Sequence, residues 1–357
     1  MAKIKRIGVL TGGGDCPGLN AAIRAVAKTA ITEFGLEVVG IKDGYEGAVE
    51  HRYRELGFND VSGILSRGGT ILGCNNRVNP FAYGEKKRDY SGQVLENFRQ
   101  MKIDGLIVVG GDGTLAISNK FSEKGFPIVA IPKTIDNDVR YTERTIGFNS
   151  ASTVAAQAID ALHSTAESHH RVMVVEVMGR YAGWIALYSG LASGADVILI
   201  PEIPYDITKV CEVIKKRGDI GKSFSIVVVA EGIKSPDGEI IVQKSVSDSF
   251  EQKRLGGVGT VLAGKIEQIL EKETRVVMLG HLLRSGMPTE FDRVLATLFG
   301  RKAVHLLMEK QFGKMVGLKC GDMDAVDIAH VIKGPKTVPP NFMMVETARS
   351  IGMSFGD

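Results

Sequence analysis

Apolar residues cluster along this chain in short β-branched runs, and between them apolar positions recur at helical spacing. The runs at 7–10, 37–41, 105–109, 128–131, 172–177, 197–200, 226–230 and 276–279 read as strands. Segments 19–34, 93–101, 152–166, 184–193, 208–216, 260–272 and 292–309 read as helices. Within 152–166, Val154, Ala155, Ala158, Ile159 and Leu162 share one face. Strands apolar throughout, each followed by a helix, predict parallel sheets covered on both faces. A single sheet of all these strands would be large. The pattern therefore predicts an α/β fold of two doubly wound, mainly parallel domains. The first break is expected near Gly147. No Pro/Gly/Ser-rich linker marks it, and no solenoid-type repeat is visible.

Composition narrows the function classes. The chain has 357 residues, 44% of them hydrophobic and 24% charged, with a mean hydropathy of +0.06. This describes a soluble globular protein of roughly two domains, and excludes a disordered chain or a small disulfide scaffold. Lys and Arg number 44 against 41 Asp and Glu, a net +3. That is too balanced for a general nucleic-acid binder. No apolar run approaches the ~20 residues of a membrane span, and the N-terminus reads directly into a strand without a signal-peptide core. Cys16, Cys74, Cys211 and Cys320 form neither a CxxC pair nor a zinc knuckle. A cytoplasmic protein with reduced thiols is expected.

In open α/β sheets ligands bind beyond the carboxyl ends of strands, and the chemistry-bearing motifs lie there. After the first strand comes TGGGDCPG at 11–18. Three glycines before a helix leave backbone N–H groups free to face an anion; a tight turn without a ligand is the competing reading. No Lys-Ser/Thr follows at Walker A spacing. GGDGT at 110–114 places a carboxylate inside a second such turn, which suits a metal–nucleotide, or else caps a helix starting near Leu115. PKTIDND at 132–138 puts Asp136 and Asp138 two residues apart after a strand stopped by proline. One would serve as a base toward an attacking hydroxyl; an Asx-rich turn is the alternative. Downstream, Arg171, Arg180, Arg275 and Arg284 recur near strand ends, and together they point to an anionic substrate.

In this order these segments resemble the 6-phosphofructokinase family: the Gly-rich loop, GGDGT, PKTIDND, GFNSA at 147–151, HHRVMVVEVMGR at 169–180, PE at 201–202, EG at 231–232 and ETRVVMLGHLLRSG at 273–286. The resemblance spans roughly residues 5–320. It implies transfer of a phosphoryl group from ATP, with Mg²⁺, to the 1-hydroxyl of fructose 6-phosphate. It implies Asp136 as base with Asp138 as its partner, and Thr134 and Arg180 stabilising the transferring group. Gly14, Arg77, Asp112, Gly113, Thr114 and Lys133 would serve the donor, with Asp112 at the metal. Glu231, Met178 and Gly179 would meet the sugar; Arg171, Arg275, His281 and Arg284 would hold its 6-phosphate. Arg171 and Arg275 match residues that reach in from a neighbouring subunit, so a homo-oligomer, tetramer or dimer, is implied. Residues 1–147 plus about 283–334 would form the donor domain, and 148–282 plus about 335–357 the sugar-phosphate domain, with the active site in the cleft between them.

Four features depart from the common bacterial ATP enzyme. Lys133 resembles the pyrophosphate-using relatives, or is simply a solvated loop cation. Gly113 leaves open the space that an Asp fills in those relatives, so ATP is the expected donor and pyrophosphate the alternative. The stretch 73–77 runs one residue longer than usual before its Arg. His163 stands where an effector-site arginine is usual, beside Arg24 and Lys28, so ADP activation and phosphoenolpyruvate inhibition are expected to be weak or absent. Segment 234–259 reads as a surface loop leading into a helix, and the tail 334–357 is expected to pack on the body. NAD kinases and lipid kinases share GGDGT but not TIDND with MGR downstream. A non-catalytic sugar-phosphate sensor would have lost the base, which is present here.

Overall fold

A computed structural model describes residues 4–234, 242–245 and 253–357. Most of the 234–259 stretch lies outside the described residues; its last part opens a helix. In chain order the elements begin β1 (Arg6–Thr11), α1 (Leu19–Phe34), β2 (Glu37–Ile41), α2 (Tyr45–Glu50), β3 (Tyr53–Glu55), α3 (Ser91–Gln100), β4 (Gly105–Gly110), α4 (Asp112–Glu123) and β5 (Ile128–Pro132). Next come α5 (Phe148–His169), β6 (Val172–Val177), α6 (Trp184–Ala192), β7 (Val197–Leu199), α7 (Ile207–Asp219), β8 (Ser225–Ala230), β9 (Val242–Ser245), β10 (Lys253–Leu255), α8 (Val258–Leu270) and β11 (Thr274–Met278). The chain closes with α9 (Glu290–Met308), β12 (Lys314–Lys319), β13 (Asp322–Asp327), α10 (Ile328–Val331) and α11 (Met343–Ser350).

These strands build two main sheets, as the apolar runs predict. The larger has seven strands ordered β13-β12-β5-β4-β1-β2-β3, and the smaller has four ordered β11-β6-β8-β7. The smaller sheet is parallel throughout; the larger is parallel except for β3 and β13, antiparallel at its two edges. Period-2 alternation explains why the central strands are apolar in every position. Ile107 and Val109 of β4 pack into one core with α1 and α9, while Leu106 and Val108 face a second with α3 and α4. β12 and β13 return to the larger sheet after the chain has built the smaller one.

The apolar pattern alone did not place β3, β12, β13, α2, α10 or α11. Edge strand β13, DMDAVD, is half polar because only one of its faces meets the protein. The tail packs through buried Val345, Ala348 and Phe355, and Ser354 bridges to Val197 at the edge of the smaller sheet. Helix α5 begins four residues earlier than its periodicity indicates. Its N-terminus has no local side-chain cap. Fully buried Asp292 of α9 supplies one, accepting Gly147 N–H at 3.1 Å, Ser150 N–H at 2.8 Å and the Ser150 hydroxyl at 2.6 Å. Asp292→Ala leaves those donors unpaired in the core and should cost about 2–3 kcal/mol. A drop in urea midpoint at constant slope measures it; an unchanged midpoint would deny the cap its role.

Candidate active site

Both sheets turn their carboxyl ends toward one cleft. From the larger sheet come loop 12–14 after β1, Gly111 and the start of α4 after β4, and Lys133-Thr134 after β5. From the smaller come Met178-Gly179-Arg180 after β6, Glu231 after β8 and Gly280-His281 after β11. One recess is lined by Gly12, Gly13, Gly14, Asp112, Gly113, Thr114, Lys133, Thr134, Asp136 and Arg180, with Tyr45, Val78 and Ile117 as an apolar wall. An adjoining cavity of about 500 Å³ is lined by Asp15, Met178, Glu231, Met278 and His281 among others. That size suits a small-molecule ligand. Gly14, Arg180 and Arg284 border both spaces.

The Gly-rich loop is glycine for a spatial reason: a Cβ on Gly12 would meet the Thr114 side chain at 2.7 Å. Lys133 is not a solvated loop cation. It is 3% exposed, and its ammonium donates to Gly12 O at 2.8 Å and to Gly14 O. Burial lowers its pKa. Arg284 crosses to the same loop, donating to Asp15 O at 2.9 Å. The loop's carbonyls are thus held back by two cations.

Asp136 is 3% exposed. It is held in a short turn: Thr134 Oγ1 donates to Asp136 Oδ2 and accepts Asp136 N–H, both at 3.1 Å. Asn137 between the two aspartates has φ 52° and is fully buried, its amide bonded to Glu143 O and Thr145 N. It is a hinge pin rather than a ligand. The two-residue turn thus belongs to Thr134 rather than to an Asx side chain, and Asn137 reaches across the loop to Thr145. Burial pushes Asp138 up to about 7, with the negative charges of Asp136 and Asp112 adding to it and Arg180 opposing. Glu231 is also raised to about 7, by burial first and then by Asp136. Arg180 sits opposite, its Nη1 3.5 Å from Asp112 Oδ1. Its backbone has φ 52°; Glu231 accepts its N–H at 3.1 Å and that of Gly179 as well. A Cβ on Gly232 would collide with the Arg180 carbonyl, which accounts for the EG pair.

Three expected residues stand elsewhere. Arg77 is exposed; the recess wall runs through Asn75, Asn76 and Val78 around it, and its N–H donates to Asn75 Oδ1 at 2.7 Å. Arg171 and Arg275 lie at the amino ends of β6 and β11, both paired with Glu273. They are thus at the opposite end of the sheet from the cleft. Sequence reasoning missed Tyr45, Val78 and Ile117, because apolar residues that line a recess look like any core position.

The Phosphofructokinase family pattern matches residues 6–307. The chain is 50% identical to an ATP-dependent 6-phosphofructokinase 2 of Clostridium perfringens, over 100% of each chain. It is 45% identical to an ATP-dependent 6-phosphofructokinase of Spirochaeta thermophila, over 99% of this chain and 98% of that one. The structure of phosphofructokinase from Saccharomyces cerevisiae superposes with a TM-score of 0.81 at 32% identity, covering 92% of this chain and 45% of the yeast chain. The motifs at the strand ends, the cleft they line and these matches agree, and the chain belongs to the phosphofructokinase family.

Proposed function

We propose that this protein is an ATP-dependent 6-phosphofructokinase that makes fructose 1,6-bisphosphate in glycolysis. The observation that carries the reading is the shared recess in which Asp136, Arg180 and the two glycine-rich turns face one another. Asp136 takes the proton from the sugar's 1-hydroxyl, whose oxygen forms a bond to the γ-phosphorus. The bond to the β–γ bridging oxygen breaks, and ADP leaves with that electron pair. A loose phosphoryl transition state asks chiefly for alignment and charge neutralisation. Arg180, Thr134 and the N–H groups of loop 12–14 and of residues 113–114 supply them. Asp138 is the acidic partner of Asp136, near enough for the two negative charges to oppose each other. Glu231 and Met178 face the sugar ring, with Gly179 shaping the turn beside them, and His281 and Arg284 take its phosphate.

Among the described residues no three His, Cys, Asp or Glu side chains converge to hold a metal alone. This fits Mg²⁺, which is usually held by one or two carboxylates together with substrate phosphates. Asp112 is open to solvent at the head of α4, in a cluster negative enough to raise Asp138. It would hold the ion, whose chemistry there is to neutralise charge on the transferring phosphate.

The donor reading rests on Gly113, and the apolar wall of Tyr45, Val78 and Ile117 supplies surface that pyrophosphate would not use. Lys133, committed to two carbonyls, is part of the loop's frame. The unit built on the larger sheet, 1–147 with about 283–334, serves the donor; the unit built on the smaller sheet serves the sugar. Arg171 and Arg275 reach a neighbouring subunit's cleft in a homo-oligomer, a tetramer or dimer. No helix among the described residues is long and apolar enough to cross a membrane. With fructose 6-phosphate and Mg²⁺, product should form with ATP and at less than about one-hundredth of that rate with pyrophosphate. Comparable or faster turnover with pyrophosphate would overturn the donor assignment.

A further inference from the structure

Residues 336–338, far along the chain from either catalytic loop, are tied to both. Lys336 N–H donates to Asp138 O at 2.6 Å. The Lys336 ammonium donates to Thr142 O at 2.8 Å and Glu143 O at 3.2 Å, carbonyls of the turn that follows Asp138. In the other direction, Lys336 O accepts the indole N–H of Trp184 at 2.9 Å, and its Nζ lies 5.4 Å from the centre of that ring. Two residues on, Val338 N–H donates to Glu202 Oε1 at 2.8 Å. The same carboxylate accepts Gly183 N–H at 3.0 and 3.1 Å. Gly183 and Trp184 open α6, directly after the turn that carries Arg180. The segment is therefore a strap from the aspartate loop of the larger sheet to the arginine turn of the smaller one.

A strap that only filled space would be apolar, since shielding a lysine from water costs stability unless its hydrogen bonds are replaced. Here the Lys336 donors meet carbonyls of the loop that carries Asp136, and the Val338 N–H meets Glu202, the carboxylate that also holds Gly183 beside the arginine turn. We propose that Lys336 is a positioning residue for phosphoryl transfer: it sets the span across the cleft between Asp136 and Arg180. The proposal rests on the catalytic reading of those two residues. Facing groups misplaced by about 1 Å cost on the order of 100-fold in rate, while substrate affinity depends on contacts elsewhere in the cleft.

The test uses full-length Lys336→Met, Lys336→Arg, Trp184→Phe and Asp136→Asn, each assayed for kcat, both KM values and thermal midpoint. Methionine keeps the stem and removes the ammonium donors. It should lower kcat about 30-fold with both KM values within about threefold. Arginine, which restores donors, should recover most of the loss. Trp184→Phe removes one tether and should lower kcat about fivefold in the same pattern. Parental kcat in both Lys336→Met and Trp184→Phe overturns the proposal, whatever the thermal midpoints do. So does a rise in KM at unchanged kcat. If Lys336→Met does not fold, the kcat of Trp184→Phe decides. Full activity in Asp136→Asn would instead remove the catalytic reading, and the proposal with it; an inactive Asp136→Asn beside fully active Lys336→Met and Trp184→Phe rejects the strap alone.

Discussion

Asp136→Asn should lower kcat about 1,000-fold while leaving both KM values within about threefold. Asparagine matches aspartate in shape and can still accept the Thr134 hydroxyl, which lies 3.1 Å away. It cannot take a proton. A sugar hydroxyl is a weak nucleophile, so the loss falls on the chemical step and spares binding. Thr134, Asn137 and Thr145 hold the loop by bonds that the change does not touch, so the fold survives. Steady-state kinetics on the purified variant measures the effect. A kcat within tenfold of the parent would show that another group takes the proton.

Asp138→Asn should make the protein more stable at alkaline pH while making it a poorer enzyme. Burial and the charges of Asp136 and Asp112 raise the Asp138 carboxyl to about 7 in the folded protein, from roughly 3.9 when unfolded. The fold thus favours its protonated form. That contribution to stability is complete below about pH 4 and is lost as pH rises through about 7. At pH 8 the ionised carboxylate opposes folding by about 2–4 kcal/mol, a cost that asparagine avoids. In ligand-free, metal-free protein the variant's unfolding midpoint should exceed the parent's at pH 8, with the gap closing as pH falls toward 4. A gap independent of pH would trace to packing. An absent gap at pH 8 would mean that the cluster carries no stored repulsion, which is the feature that makes this loop a place for a cation.

Most of the fold was legible because it is written in local repetition. Runs such as 105–109 and 172–177 are apolar at every position, a pattern imposed by burial on both faces, and the chemical motifs follow those runs directly. Element ends were less legible. The start of α5 at Phe148 depends on Asp292, a capping group from another helix, so no window around residue 148 contains the signal. Edge strands β3 and β13 are short or half polar, since one side of each lacks a covering layer.

The residues of the site divide in the same way. Asp112, Thr134, Asp136 and Arg180 could be named from sequence, since a strand followed by a tight turn puts its side chains at the sheet's carboxyl edge. Their expected roles came with the family resemblance; the bonds that hold them in place did not. Lys133 reads as a donor ligand or a solvated charge until the fold buries it against Gly12 and Gly14, and Arg77 reads as a donor ligand although its side chain stands exposed beside the recess. Lys336 gives no signal in its own segment. The sequence by itself determined the central strands, because their apolar runs are local and a few residues long, and the order of the motifs, whose resemblance to a known family carried the expectation of a cleft. The tertiary structure decided which distant groups share a hydrogen bond and which carboxyls are raised, because both depend on neighbours and on exclusion of water that only the packed chain creates.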